Sequence, residues 1–387
     1  MSEWREVRLG EIAPFKYGKS KVASERLEGS FDVFSSSGKC GFSNDILADA
    51  GIIIGRKGSI GTVYYSELPF FCIDTAFYID EIDEHCDIKF LYYYLKTLKL
   101  EEYNNDAAVP GLNRNLAHGL KVIIPNLKIQ KKIASVLSTY DKLIENNNRR
   151  IQILEQTAEE LYKEWFVRMR FPGYEKTKFD KGIPEGWEVK KIKDVIDKLE
   201  SGRRPKSIEV TSSKETVVSL GAGDIKGLGE YSYSNEYLVP LSFYQSLNRG
   251  KIKDKDIAIY KDGAYTGKVT MFRDNFPYEK MAINEHVFLV KCKEEIMQNY
   301  LLFTLKQSSY YELMQALSMT SAQPGLNQTN FKNIKIQIPN NPLLIMFHEK
   351  TEYFLKEIFN LAKQNQTLIK QRDLLLPRLM NGTITVK

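Results

Sequence analysis

One triplet in this chain suits bond-breaking chemistry. Asp180, Glu188 and Lys190 stand in a D…ExK arrangement of the kind that could hold magnesium for a nuclease. The triplet lies where Gly182, Pro184 and Gly186 turn the chain, and its carboxylates are close in sequence rather than on paired strands, so it reads better as a connector. There is no GxSxG elbow, no GxxxxGK[ST] phosphate loop, no HExxH helix and no PPY tetrad. Recognition chemistry is better represented. Lys16, Lys19, Lys21 and Arg26 cluster near the start, and Arg56 and Lys57 sit in the glycine-bearing segment Arg56–Gly61. Arg203, Arg204 and Lys206, then Lys261 and Lys268, occupy the corresponding places further on. Cations on glycine loops can approach phosphates, and Tyr265, with Tyr64, Tyr65, Tyr231 and Tyr233, could stack on bases. The alternative for each cluster is a solvated loop, and for the tyrosines a core edge.

The composition suits a multidomain globular protein. At 387 residues, with 43% apolar and 27% charged, the chain is too long for one small core and too apolar for disorder. The four cysteines, Cys40, Cys72, Cys86 and Cys292, have no CxxC spacing, so buried thiols in a reducing cytoplasm are expected rather than disulfides or zinc. The N-terminus lacks an apolar signal, and no stretch near it could cross a bilayer, so no membrane partner is expected. The net charge of +6 permits nucleic-acid binding, but residues 1–125 carry 14 basic and 18 acidic groups. A phosphate-binding surface there must therefore be a local patch.

These candidates are positioned by a repeat. PGLNRNLAHGLKVIIPN at 110–126 and PGLNQTNFKNIKIQIPN at 324–340 agree at eight of seventeen positions. Trp4 with VRLGEI echoes Trp187 with KKIKDV, and Arg56–Gly61 corresponds to Lys261–Gly267. Each copy predicts short strands such as 51–56 and 256–261, a helix near 88–103 or 296–316, a PGLN turn, a strand ending in IPN and a long helix. The turn geometry alone accounts for Gly111 and Gly325, so the PGLN segments, with Asn113 and Asn327, read as structural, and contact with DNA is the alternative.

The long helices show alternating steps of four and three, as in a coiled-coil seam. The first seam runs Ile133, Leu137, Tyr140, Ile144, Asn147, Ile151, Leu154, Ala158, Leu161, Trp165; the second runs Phe347, Thr351, Phe354, Ile358, Leu361, Asn365, Leu368, Arg372, Leu375. One Asn interrupts each. Antiparallel pairing with Asn147 facing Asn365 sets Ile144 against Leu368, Ile151 against Leu361 and Leu154 against Ile358, with poorer matches at Tyr140–Arg372 and Leu161–Thr351. The alternative is that each stripe is buried against its own domain. A rod from Ile133 to Trp165 would be roughly 48 Å long, enough to hold two domains apart.

With these segments in view, the chain resembles the specificity subunits of type I restriction-modification systems. The resemblance covers essentially the whole sequence, and its markers are the blocks IPNLKIQKKIASVLSTYDKLIENNNRRIQILEQTAEELYKEWF and IPNNPLLIMFHEKTEYFLKEIFNLAKQNQTLIKQRDLLLPRLMNG. It implies an α+β fold with two similar globular target recognition domains, at 1–125 and 171–340. Two long antiparallel coiled-coil helices, at 126–170 and 341–380, would join them in a pseudo-twofold repeat. It further implies a non-catalytic subunit reading a bipartite, asymmetric double-stranded DNA site. Its partners would be two methylase subunits carrying S-adenosylmethionine and two restriction subunits using ATP and magnesium, with no cofactor on this chain. The family's acidic–glutamine pair after the proline is only partly kept: the first copy has Lys128, Ile129 and Gln130, the second Leu343, Leu344 and Ile345. Contacts built on that pair do not carry over to the second copy. A magnesium-dependent nuclease and a coiled-coil adaptor without DNA contact are the competing readings.

Overall fold

The computed structural model describes residues 4–103, 110–205, 215–319 and 325–386. The chain divides into two compact units, Met1–Leu143 with Leu368–Lys387, and Ile144–Thr367. Each unit therefore combines a globular part with pieces of both long helices.

The two units share one strand plan. In the first, a four-stranded antiparallel sheet runs in the order Lys16–Tyr17, Ala76–Ile79, Gly51–Gly55, Val63–Ser66. A three-stranded sheet orders Gly38–Ser43, Phe31–Ser35 and Phe70–Cys72, the last two parallel. In the second unit the matching sheets are Ile196–Ser201, Val287–Cys292, Asp256–Tyr260, Val269–Phe272, and Leu238–Pro240, Thr216–Leu220, Met281–Ile283, again with the last pair parallel. Strand Trp4–Arg8 pairs with Lys121–Pro125, and Glu188–Lys191 with Lys335–Ile338, so the start of each repeat is fastened to its end. The strands expected near 51–56 and 256–261 run Gly51–Gly55 and Asp256–Tyr260; both are central and almost wholly buried, which is why they read as continuous apolar runs.

One glycine position is dictated by close packing in both copies. A side chain on Gly18 would meet the Ile73 carbonyl oxygen at 2.1 Å, and one on Gly202 would meet that of Ile283 at 1.8 Å. A backbone carbonyl cannot move aside as a side chain can, so only glycine fits there.

The expected helices near 88–103 and 296–316 are each broken. The first is Ile88–Leu95 followed by a 3-10 turn at Leu100–Glu102, and the second is Glu295–Leu305 followed by Ser308–Met319. Side chains take over the last-turn carbonyls: Thr97 Oγ1 donates to Tyr94 O at 2.7 Å and Gln307 Nε2 to Phe303 O at 2.9 Å.

The long helices span Leu127–Tyr162, continued by a π turn at Lys163–Val167, and Asn341–Met380. Each is capped by the Asn of its IPN motif: Asn126 Oδ1 accepts from Ile129 N and Asn340 Oδ1 from Leu343 N, both at 3.1 Å. Within the second unit the helices are antiparallel. Asn147 Nδ2 donates to Asn365 Oδ1 at 3.0 Å, while at the other end the Tyr162 and Phe347 rings lie 6.0 Å apart. Asn365 Nδ2 in turn donates to Asn148 Oδ1 at 2.7 Å, so both buried amides are engaged.

The seam is wider than a strict four-three stripe. Leu343, Leu344, Phe347, Leu355, Ile358, Phe359, Leu361 and Ala362 all enter the core of the second unit, together with Ile151, Ala158, Tyr162, Trp165 and Phe166. Leu154 and Phe354 are only partly buried, and Thr351 is fully buried. Both readings of the stripe are thus met here: the helices face one another and also bury a broad face against their own globular part. Ile144 and Leu368 are half-buried and belong to different units. In the first unit Arg372 pairs not with Tyr140 but with the adjacent Asp141, Nη1 to Oδ1 at 2.6 Å, and Asp141 also accepts from Tyr93 OH at 2.5 Å. A partly buried guanidinium takes the carboxylate over the ring.

Replacing Asn147 alone by Leu leaves Asn365 Oδ1 buried without its donor, an expected loss of about 1–3 kcal/mol. The Asn147→Leu, Asn365→Leu pair should recover most of it. Urea denaturation of the two variants reads the difference; equal stability of the single and double variants would refute the pairing energetics.

Candidate nucleic-acid interface

The PGLN segments serve as structural fasteners. Asn113 Oδ1 accepts from Asn115 N at 2.9 Å and Leu116 N at 3.1 Å, capping the short helix Arg114–Gly119, and Asn327 caps Gln328–Asn333 through Asn330 N at 2.7 Å. Leu112 N donates to Arg56 O at 2.9 Å and Leu326 N to Lys261 O at 2.8 Å. In both copies the capped turn is therefore bonded to the glycine loop that carries a cation. Beside it, the two copies solve one buried position differently. Gln130 is fully buried and bridges Asp87 N, His85 O and Pro125 O, whereas Leu344 at the matching place simply joins the apolar core.

In the first unit most of the candidate cations are matched by local carboxylates. Lys16 Nζ lies 2.7 Å from Asp80 and 2.8 Å from Glu81, and these bonds hold its pKa above the usual lysine range. Lys21 pairs with Asp45 at 2.8 Å. Arg26 donates to Val22 O and approaches Cys40 Sγ, while Lys19 and Lys57 are exposed. Arg56 differs. Its guanidinium lies 5.1 Å from the centre of the Tyr17 ring, and a second guanidinium, Arg114, lies 4.8 Å from the same ring. Among the described residues neither has a carboxylate within 4.0 Å, and Tyr17 is 48% exposed. Tyr17 and Arg114 escaped the sequence reading. The available signal was that Arg114 directly follows the capping Asn of a repeated motif.

In the second unit the corresponding residues are arranged otherwise. The Arg203 guanidinium lies 5.3 Å over the Phe243 ring and donates to Ser246 Oγ at 3.3 Å. Arg204 pairs with Glu285 at 3.2 Å, and Lys206 lies outside the described residues. Lys261 Nζ donates to Glu285 O at 2.8 Å and is 3.6 Å from Asp262, whose other oxygen meets His286 Nδ1 at 2.5 Å. Lys268 Nζ sits 4.0 Å over the ring of Tyr265, which is 54% exposed, at the wall of a cleft of about 600 Å³ lined also by Lys226, Tyr260 and Tyr311. Tyr231 is occupied structurally, donating with Tyr278 to Glu236 Oε1, each at 2.8 Å. Tyr64 and Tyr65 are half-buried, the latter 5.7 Å from the Tyr92 ring, and Tyr233 packs 4.9 Å from Tyr231.

The nuclease triplet is placed on two short strands, Asp180 on Phe179–Asp180 and the others on Glu188–Lys191, with Glu188 paired to Lys190 at 2.5 Å. Among the described residues no group of three or more His, Cys, Asp or Glu is arranged to hold a metal ion. All four cysteines are free, and burial pushes the thiols of Cys72, Cys86 and Cys292 up to about 12. No helix among the described residues is long and apolar enough to cross a membrane.

Two topologically matched units thus present different exposed cation–aromatic groups, Arg114 over Tyr17 in one and Lys268 over Tyr265 in the other. The profile described as "Type I restriction modification DNA specificity domain" matches residues 1–156 and again 184–342, once on each repeat. The chain belongs to this family. It is 29% identical over 310 residues to the type I restriction enzyme MjaIX specificity subunit of Methanocaldococcus jannaschii, covering 77% of this chain and 69% of the relative. With the MjaVIII specificity subunit of the same organism the identity is 25% over 420 residues, covering 100% and 94%. The crystal structure of a type I restriction-modification system S subunit from M. genitalium superposes with a TM-score of 0.59 at 16% identity, covering 97% of this chain and 96% of that one. That likeness shows a shared fold. The chain is thus a type I specificity subunit, a non-catalytic component of its system.

Proposed function

We propose that each globular half of this specificity subunit reads one half of a bipartite, asymmetric double-stranded DNA site. On this reading the chain also gathers two methylase subunits, which carry S-adenosylmethionine, and two restriction subunits, which use ATP and magnesium. It works in the cytoplasm and holds no cofactor of its own. The observation that carries the reading is the matched strand plan of the two units combined with unmatched exposed side chains. The scaffold, caps and fasteners repeat, whereas the exposed ring of Tyr17 is flanked by Arg56 and Arg114 in one unit, and in the other Lys261 lies over the buried Phe288 ring and donates to Glu285 O, with Gln328 in the place of Arg114. Equal scaffolds with unequal contact residues suit an asymmetric target.

Mapping N6-methyladenine across the host genome with and without the gene tests this directly. A bipartite motif that disappears on deletion is expected, and unchanged methylation would overturn the reading. In binding assays, affinity for duplex DNA should fall steeply with rising salt, with a log–log slope of about −0.9 per phosphate contacted. Salt-insensitive assembly without DNA would favour an adaptor instead.

A further inference from the structure

We propose that Arg114, supported on Tyr17 beside Arg56, reads a guanine edge in the half-site of the first unit. This rests on the DNA-reading function above and assigns that unit a specificity-determining residue.

Residues 1–125 are net acidic, and Arg5, Lys16, Lys21, Lys39, Lys89, Lys99 and Lys121 each have a carboxylate within 4.0 Å. Arg56 and Arg114 have none among the described residues, yet both lie over one exposed tyrosine ring, at 5.1 and 4.8 Å. Bringing two guanidiniums to one ring sets like charges close together, and the aromatic face offsets only part of that repulsion. An electron-rich partner from outside would relieve the rest.

Arg114 is the first residue of a helix whose start is capped by Asn113 and whose preceding residue, Leu112, is bonded to the Arg56 backbone. Arg56 Nη1 donates to Asp74 O at 3.0 Å, which restrains one guanidinium; the Arg114 Nε is buried without a hydrogen-bond partner among the described residues, which leaves the terminal nitrogens of its guanidinium to meet a partner. A guanidinium stacked on a ring gives up rotamer freedom before binding, so less is lost on contact. Its fork of N–H donors matches the O6 and N7 acceptors of guanine, the commonest specific arginine contact in the major groove.

The repeat supplies a comparison. Gln328 holds the place of Arg114 in the second copy, again directly after a capping Asn and again beside the glycine loop. Glutamine matches the N6 and N7 of adenine rather than guanine. One backbone position thus carries two different base-reading side chains in the two halves.

The test uses the full chain, with its methylase partners where retention on DNA requires them, to select duplexes from a randomised pool. Wild type should recover a bipartite site with a guanine in one half. Arg114→Ala and Arg114→Lys should each relax selection at that guanine by on the order of tenfold or more and leave the other half-site unchanged. Arg114→Gln should shift the same position towards adenine. A site unaltered by all three variants overturns the inference while leaving the general function intact. So does a uniform loss across sequences in Arg114→Ala, with the salt slope shallower by about 1 and rescue by Lys, which marks a phosphate contact. Failure of wild type to select any sequence would sink the underlying reading instead. Unchanged thermal unfolding of the Lys variant separates recognition from folding.

Discussion

Phe347→Ala is expected to cost the second unit about 3–5 kcal/mol, the range for removing a large aromatic side chain from a packed core. Phe347 is fully buried near the start of the second long helix. Its ring lies 4.9 Å from Phe166, 6.0 Å from Tyr162 and Phe303, 6.1 Å from Trp165 and 6.3 Å from Tyr300. Tyr162 ends the first long helix, Trp165 and Phe166 lie in the π turn that continues it, and Tyr300 and Phe303 come from Glu295–Leu305, so one deletion loosens these elements together. Trp165 and Trp187 both sit in this core, which makes their fluorescence a direct report of its unfolding in denaturant. A loss below about 1 kcal/mol would mean that the site collapses on truncation and that the aromatic cluster is not the clamp described here.

Glu352→Ala should be nearly as damaging, by about 3 kcal/mol at neutral pH, because it takes the bidentate partner from a buried cation and leaves it only the half-exposed Asp274 carboxylate. Arg273 is only 5% exposed and grips Glu352 with both arms, Nη2 to Oε1 at 3.0 Å and Nη1 to Oε2 at 3.3 Å. Lys255 adds a contact to Glu352 at 3.0 Å, and Asn299 Nδ2 donates to it at 3.3 Å. Burial pushes the Glu352 carboxyl up, but the bonds to Arg273 and Lys255 outweigh it and hold the group at about 2 against an ordinary 4.5. The stabilisation is therefore complete above the unfolded value and is lost as pH falls from about 4.5 towards 2. Asp256, raised by burial to about 6 from 3.8, contributes with the opposite sign: its penalty grows as pH rises through that interval. Stability measured against pH should show the acid limb shrink in Glu352→Gln. An unchanged limb in that variant would remove Glu352 from the account. An Arg273→Met, Glu352→Leu double variant should recover much of the loss, since neither charge then remains unpaired.

Phe347 and Glu352 both lie on Asn341–Met380, a helix whose four-three stripe reads in sequence mainly as a seam. Steps of four and three were visible because side-chain period follows from helical geometry, and the register could be set from Asn147 and Asn365 because a buried amide penalises misalignment. Leu355, Phe359 and Ala362 lie off that stripe and are nonetheless buried. Their burial depends on the globular part of the unit covering a second face, a contact made by residues far away in the chain. The same holds for Glu352, which reads as a solvated helix position until Arg273 arrives beside it.

The repeat, the strand runs at 51–55 and 256–260, the capped PGLN and IPN turns and the paired Asn residues were determined by the sequence, because periodicity, caps and turns depend on neighbours within a few positions. Tertiary structure alone decided which cations are free to act. Lys16 and Arg56 look equally suited to phosphate in the sequence, yet the fold hands Lys16 to Asp80 and Glu81 and sets Arg56 with Arg114 over Tyr17. Coulomb attraction and stacking fall off with distance through space rather than along the chain, so the charge that remains unmatched is a property of the folded surface.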